Sequence, residues 1–333
     1  MAKRLSILLS WPEPAERKEF FERVKVMDEV GVDTIWVTEA GGMGGDRDAF
    51  SLLTLLAERT TKVKLGTDII SPYGRTPAMI AQHFATLDEF SEGRMVIGMG
   101  VARPEAIEQW HGVPYAPAAT RLKESIEIIK RILAHEPLVY QGKLFHFSAG
   151  YRLHFRPYRP HIPIFIAAIS PKSRRLTAKL ADGWLQTTLP IDHMADEVKA
   201  FREMVMGEGR DPKSITIQSP AGVVITNHVE KAKASAKATV ASYMTHPFYA
   251  EQVARCGFRD DVEKVQKAWN DGAKAAAQAV PDRLLDVLRC IGSLEKCQEW
   301  LKRQAESGID LHLVSVDAET PRDLAQILER LID

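Results

Sequence analysis

The chain has 333 residues, 45% of them hydrophobic, with 44 lysine and arginine side chains against 44 aspartate and glutamate. That length and apolar content supply a large core, and the balanced charge excludes the bulk electrostatic signature of a nucleic-acid or membrane-surface protein. Three unevenly spaced cysteines, Cys256, Cys290 and Cys297, suit neither a disulfide framework nor a metal site and point to a reducing, cytoplasmic setting.

Leu5 to Trp11 (LSILLSW) reads as a buried strand stopped by Pro12, since no small-residue cleavage site follows it. Glu16 to Val30 places Phe20, Phe21, Val24, Met27 and Val30 on one helical face and stops at Gly31. Thr34 to Val37 is a second strand, running into Thr38, Glu39 and Ala40, a glycine loop over Gly41 to Gly45, and a helix from about Asp48 to Arg59. The third strand starts at Val63, breaks at Gly66, and delivers Thr67, Asp68 and Ser71 at its carboxyl end. A helix over Pro77 to Ser91 follows, opened by its proline.

Arg94 to Val101 is strand four, and a long excursion comes after it. Arg121 to Ala134 is helical, and Leu138 to Phe155 alternates around Gly142 and Gly150 as a hairpin outside the main layer. Ile162 to Ile169 is strand five, Pro171 to Leu180 a helix capped by Ser170, and Trp184 to Leu189 strand six. A helix over Ile191 to Gly207 leads to strand seven within Ile215 to Thr226. The next ~80 residues read as almost wholly helical, with Cys290 and Cys297 at core spacing on helix. Leu311 to Val316 is strand eight and Pro321 to Ile332 a closing helix.

Strands that are apolar throughout are buried on both faces, which predicts a parallel sheet covered by helices. Eight strand-then-helix units predict an α/β fold, a (β/α)8 TIM barrel, with an open doubly wound sheet as the alternative. No linker divides the chain, so residues 1–333 read as one domain with insertions after strand 4 (about 103–161) and strand 7 (about 227–308). No apolar run approaches the ~20 residues that span a bilayer.

A barrel keeps its chemistry at the strand carboxyl ends. Here those ends offer Ser10 and Trp11, Thr38 and Glu39, Thr67 to Ser71, Gly98 to Arg103, Ala168 to Ser170, Gln186 to Thr188, Ser219 and Ala221, and Ser315. They contain no nucleophile–base pair, no metal-ligand cluster and no paired carboxylates, so hydrolysis by a triad or a metal is poorly supported. Small hydroxyl residues and glycine suit a flat ring system that carries its own reactivity. Gly98 and Gly100 leave backbone room for a phosphate, and Ser170 and Pro171 open a helix whose free N–H groups attract anions. Each also has a plainer reading, steric relief for the glycines and an N-cap for Ser170. Asp68 either faces a ligand or bonds loop N–H groups; Glu39 either serves the site or pairs with Arg75 or Arg103. His83 reads as a packing histidine.

The run Gly66 to Pro77 (GTDIISPYGRTP), then Ala85 to Arg94 (ATLDEFSEGR), then Gly98-Met99-Gly100 resembles the bacterial luciferase-like superfamily, and within it the methylenetetrahydromethanopterin reductase-like branch. The resemblance implies a (β/α)8 barrel that binds coenzyme F420 or FMN at the strand ends. It implies a non-prolyl cis bond at Asp68–Ile69 against the central ring of the cofactor, and the cofactor phosphate near Ser170, Pro171, Gly98 and Gly100. The cofactor-binding set it implies is Thr38, Thr67, Asp68, Ile69, Ser71, Gly98, Gly100, Ser170, Pro171 and Thr187, with Glu39 and Asp68 as candidate catalytic acids and no metal. Three departures put the methanopterin substrate in doubt: Leu9 stands where the reductase has a glutamate, Glu39-Ala40 replaces an Asp-His pair, and Arg103 replaces an acid. The expected activity is F420-dependent hydride transfer to or from a small organic substrate. The alternatives are an FMN-dependent monooxygenase and a non-catalytic barrel subunit. A homodimer is expected, with no nucleic-acid or membrane partner.

Overall fold

A computed structural model describes residues 3–39 and 47–333. Ala40 and the predicted loop over Gly41 to Gly45 lie outside the described residues. Contacts gather into two compact units: Leu8–Ala167 with Leu180–Gly183, and Met1–Ile7 with Ala168–Lys179 and Trp184–Asp333. Strand β1 (Leu5–Leu9) begins in the second and ends in the first.

The first unit continues with α1 (Arg17–Val30), β2 (Thr34–Val37), α2 (Ala49–Arg59), β3 (Lys64–Thr67), α3 (Pro77–Phe90) and β4 (Met95–Met99). Then come α4 (Ala118–Leu133), the antiparallel pair β5 (Leu138–Gln141) and β6 (His146–Tyr151), and β7 (Ile164–Ala167). Strands β2, β3, β4 and β7 pair in parallel, with Val37 opposite Thr67 and Gly98 opposite Phe165. Gly66 is required by this packing: a Cβ there would lie 2.5 Å from the Trp36 ring and 2.7 Å from the Val96 carbonyl oxygen. The excursion after β4 contains two turns that the sequence does not announce, a helical one at Pro104–Ala106 and a π-type one at Ile107–His111.

Buried and half-buried polar side chains lock the amino ends of these strands. Asp28 in α1 accepts from the backbone N–H groups of Thr61, Lys62 and Val63 and from the Thr61 hydroxyl, at 2.7–3.1 Å. Arg94 donates to the carbonyls of Ala57, Thr60, Val63 and Ser91 and to the Thr60 hydroxyl, which uses all five of its N–H groups. Asp88 accepts from Met95 N–H and from two nitrogens of Arg159. In the excursion, Glu124 of α4 accepts from Lys143, Leu144 and Phe145 and so closes the hairpin loop.

The second unit comprises α5 (Pro171–Leu180), β8 (Gly183–Leu185), α6 (Met194–Gly207), β9 (Thr216–Gln218) and β10 (Val223–Ile225). Helices α7 (Val229–Met244), α8 (Pro247–Val253), α9 (Arg259–Ala268), α10 (Ala273–Ala279) and α11 (Asp282–Leu288) follow. The chain ends with β11 (Cys290–Gly292), α12 (Leu294–Glu306), β12 (His312–Val316) and α13 (Pro321–Ile332). Strand β12 pairs in parallel with the start of β1 and with β10, and β10 also pairs with β11.

Two expectations are corrected here. The predicted seventh strand is split into β9 and β10 by Ser219-Pro220-Ala221-Gly222, where Pro220 offers no N–H and Gly222 has φ of 150°. The helical stretch before residue 308 hides β11, so Cys290 lies on a strand and only Cys297 on a helix; their sulfurs are 3.8 Å apart and both are free thiols. Three residues are too few to disturb a helical periodicity, which is why β11 is silent in the sequence. The five helices between β10 and β11 are amphipathic around a core of their own, built from Val240, Met244, Val253, Val265, Leu284 and Leu285. Among the described residues no helix is long and apolar enough to cross a membrane.

Candidate active site

In the first unit the carboxyl ends of β2, β3 and β4 are tied together beyond the regular ladder. Asp68 N–H donates to Val37 O at 2.9 Å, Ile70 N–H to Gly98 O at 3.0 Å, and Gly100 N–H to Ile70 O at 3.1 Å. Within this stretch the Asp68–Ile69 peptide bond is cis. A Cβ on Gly100 would come within 2.8 Å of Ile69 Cδ1, so this glycine makes room for the Ile69 side chain.

Thr67 is fully buried, and its hydroxyl is spent on strand four: it donates to Gly98 O at 2.8 Å and accepts from Gly98 N–H at 3.1 Å. Ser71 differs. Its hydroxyl oxygen is buried without a hydrogen-bond partner, an arrangement that costs free energy unless a group from outside the chain supplies one. Thr38, Asp68 and Ile69 are half-buried at the same rim.

Glu39 is held by Arg75. Both terminal guanidinium nitrogens reach its carboxylate, Ala49 N–H donates to it at 3.1 Å, and Arg75 also pairs with Asp48. Asp48 in turn caps α2 by accepting from Ser51 N–H at 2.7 Å. Burial works against the Arg75 charge, but Glu39 and Asp48 outweigh it and hold its pKa above the ordinary arginine value. The guanidinium carbon sits 4.8 Å above the Phe50 ring, whose centroid is 4.5 Å from that of His83. Burial, and then the Arg75 charge, push the His83 pKa down; the ring packs against Phe50, while its Nδ1 is buried without a hydrogen-bond partner.

Above β3, Tyr73 and Tyr115 stack at 5.6 Å, and the Tyr73 hydroxyl donates to the Tyr115 carbonyl. Arg121 lies 4.8 Å from the Tyr73 centroid and 5.7 Å from that of Phe145. Burial raises the Tyr115 pKa to about 12, so both phenols are neutral donors at ordinary pH. His111 reaches this group too, 3.0 Å from where a Cβ on Gly74 would lie. Tyr115 and Arg121 carry no mark in the sequence, because aromatic and basic residues in a loop and a helix start are ordinary.

The second unit holds the remaining candidates. The Ser170 hydroxyl accepts from Ser173 N–H at 3.2 Å, so it caps α5, with Pro171 as the first helical residue and Lys172 exposed beside it. Beyond the end of β8, the side-chain oxygens of Thr187 and Thr188 and both polar atoms of the Gln186 carboxamide are buried without partners. Thr188 has φ of 46°, in the left-handed region. The Trp184 indole N–H donates to Ala168 O at 2.9 Å. Gln252 of α8 donates to the carbonyls of Thr187 and Thr188, and nothing in its helical surroundings marks it in the sequence.

Residues 7–311 match the family described as luciferase-like monooxygenase. A Mycobacterium tuberculosis protein with the provisional name of coenzyme F420-dependent oxidoreductase, Rv3520c, is 30% identical over 92% of this chain and 93% of its own. The 5,10-methylenetetrahydromethanopterin reductase of Archaeoglobus fulgidus is 28% identical over 86% of each chain. Among solved structures, the coenzyme F420-dependent tetrahydromethanopterin reductase of Methanopyrus kandleri superposes with a TM-score of 0.81, at 23% identity, over 99% of this chain and 97% of its own.

Proposed function

The chain belongs to the luciferase-like monooxygenase family, and from that premise we propose that it is an oxidoreductase that uses coenzyme F420 to move a hydride to or from a small organic substrate. The observation that carries this reading is the lining of the strand ends. Ser71, Thr187 and Thr188 present buried hydroxyl oxygens that no protein group satisfies, while acid–base pairs that could activate a nucleophile are absent among the described residues of these ends. Residues of this kind fit a flat polar ring with an anionic tail. Each unit offers its own part: in the first, Ser71 and the backbone around Asp68 and Ile69 suit a flat polar ring, and in the second the start of α5 at Ser170 and Pro171 suits an anion. Bound there, coenzyme F420 supplies the hydride donor or acceptor.

The chain's own part is to orient and to exclude water. Arg75 fixes Glu39 against the start of α2, which sets the rim that Thr38 belongs to. The Tyr73–Tyr115 stack and Arg121 form an aromatic and cationic shoulder beside it. The names of the relatives favour F420 over FMN. The fold likeness to the M. kandleri enzyme supports reading the chain as a (β/α)8 fold.

The test is a titration of the purified protein with F420 and with FMN, followed by absorbance and fluorescence. Saturable binding of F420, with no oxygen uptake when reduced FMN is added, is the expected result. Oxygen consumption with reduced FMN and no affinity for F420 would overturn the reading in favour of a monooxygenase.

A further inference from the structure

Gln252 is 5% exposed and uses both ends of its carboxamide. Nε2 donates to Thr187 O at 2.6 Å and to Thr188 O at 3.3 Å, and Oε1 accepts from Arg174 at 3.1 Å. These carbonyls lie past the last residue of β8, Leu185. Thr188 adopts a left-handed conformation that a β-branched residue avoids, and such residues persist only where surrounding contacts hold them. Gln252 supplies such contacts, from a helix of the segment between β10 and β11.

The other end of the carboxamide leads to the second candidate group. Arg174 lies one turn inside α5, and its backbone N–H donates to Ser170 O at 2.9 Å. Its guanidinium pairs with Glu197, which also takes Arg255 at 2.6 Å, and sits 5.3 Å from the Trp184 ring. One buried amide therefore joins the helix start at Ser170 and the strand end at Thr187 to the helical insertion.

We propose that Gln252 is a positioning residue, which holds the Thr187–Thr188 backbone and the start of α5 in the arrangement that receives the cofactor. The cofactor half of this proposal rests on the function proposed above. Helix α8 of the insertion then sets the shape of the chain after β8.

The decisive variant is Gln252→Glu. It keeps an acceptor for Arg174 but loses the donor to the two carbonyls and turns a carboxylate toward them. Val265→Ala, in the core of the same helical segment, controls for general loosening. Two readouts are taken on the full chain: amide hydrogen exchange over residues 186–190, which needs no cofactor, and the dissociation constant for F420. We expect Gln252→Glu to speed exchange at 186–190 and to weaken F420 binding by roughly tenfold, with Val265→Ala changing neither by more than about twofold at a similar unfolding midpoint. Gln252→Glu behaving like the parent in both readouts, or no worse than Val265→Ala, would overturn the proposal. A parent protein that binds no F420, with exchange still accelerated in Gln252→Glu, would sink the cofactor reading and uphold the positioning of Thr187 and Thr188.

Discussion

Arg75 grips Glu39 with one terminal nitrogen on each carboxylate oxygen, and the second nitrogen also reaches Asp48. A carboxylate held in this way is an anchor for the rim, since taking up a proton would dismantle the pair. Glu39→Gln should cost about 1–3 kcal/mol of stability in denaturant unfolding, because one of the two carboxylate oxygens becomes an NH2 that cannot accept from Arg75 and the other loses its charge. Turnover at saturating cofactor should fall less than about tenfold, since the group is placed to hold structure. A loss of a hundredfold or more at unchanged stability would restore Glu39 as a proton-transfer group.

Thr67 and Gly98 exchange two hydrogen bonds in a fully buried setting. Thr67→Val keeps the volume and removes both; the Gly98 carbonyl keeps its bond from Ile70 N–H, while the Gly98 N–H loses the Thr67 acceptor. Chemical denaturation should show a loss of about 2 kcal/mol. If the variant is as stable as the parent, the hydroxyl faces a ligand and not the strand.

Asp28 governs the acid limb of the stability curve. Burial raises its pKa, but the hydrogen bonds from Val63, Lys62 and Thr61 outweigh that and leave it below the ordinary aspartate value. Its contribution is therefore fully present above the unfolded pKa of about 3.9 and is lost as pH falls through the lower folded value. Asp28→Asn should be less stable than the parent at pH 7 by about 2 kcal/mol, and the gap should close on acidification below pH 4. Urea melts of both proteins across that range measure the difference directly.

His312 acts in a higher window. Burial depresses its pKa to about 4, with Lys3 adding to the effect, and Nδ1 lies 2.9 Å from Gln304 Oε1. The folded state keeps the ring neutral while the unfolded chain protonates it near pH 6.5. Stability is thus complete above 6.5 and declines as pH drops toward 4, by about 3 kcal/mol over the window. In His312→Gln the slope between pH 6.5 and 4 should shrink by that amount, leaving the part due to other groups such as His83, whatever the change in absolute stability at pH 7.

The parts of this molecule that follow local rules were readable from its residues. Pro77 opens α3 behind the Thr76 cap, α5 and α13 begin at Pro171 and Pro321, and the apolar runs of β2, β4 and β7 pair in parallel. Asp68–Ile69 and the pairing of Glu39 with Arg75 were also within reach, the first by resemblance and the second as one of two weighed options. What stayed hidden depends on contacts between distant residues. Strand β11 is three residues inside a helical pattern, and it exists because β10 offers an edge. Gln252 meets Thr187 across 65 positions, and Arg121 meets Tyr73 across a helix, a strand and the excursion after β4.

The run Ala85 to Arg94, so specific as a signature, turns out to be the lock at the amino ends of the strands: Asp88 receives Arg159 and Met95, and Arg94 threads four carbonyls. Thr38, Asp68 and Ser71 stand at the opposite rim of the same strands. Anyone sorting genomes by this run is therefore sorting scaffolds, and chains gathered by it are free to differ in cofactor and substrate. The converse holds for redesign. Substitutions at the Ser71 and Tyr73 rim can be explored in combination without touching the lock formed by Asp88, Arg94 and Arg159 at the other end of the strands.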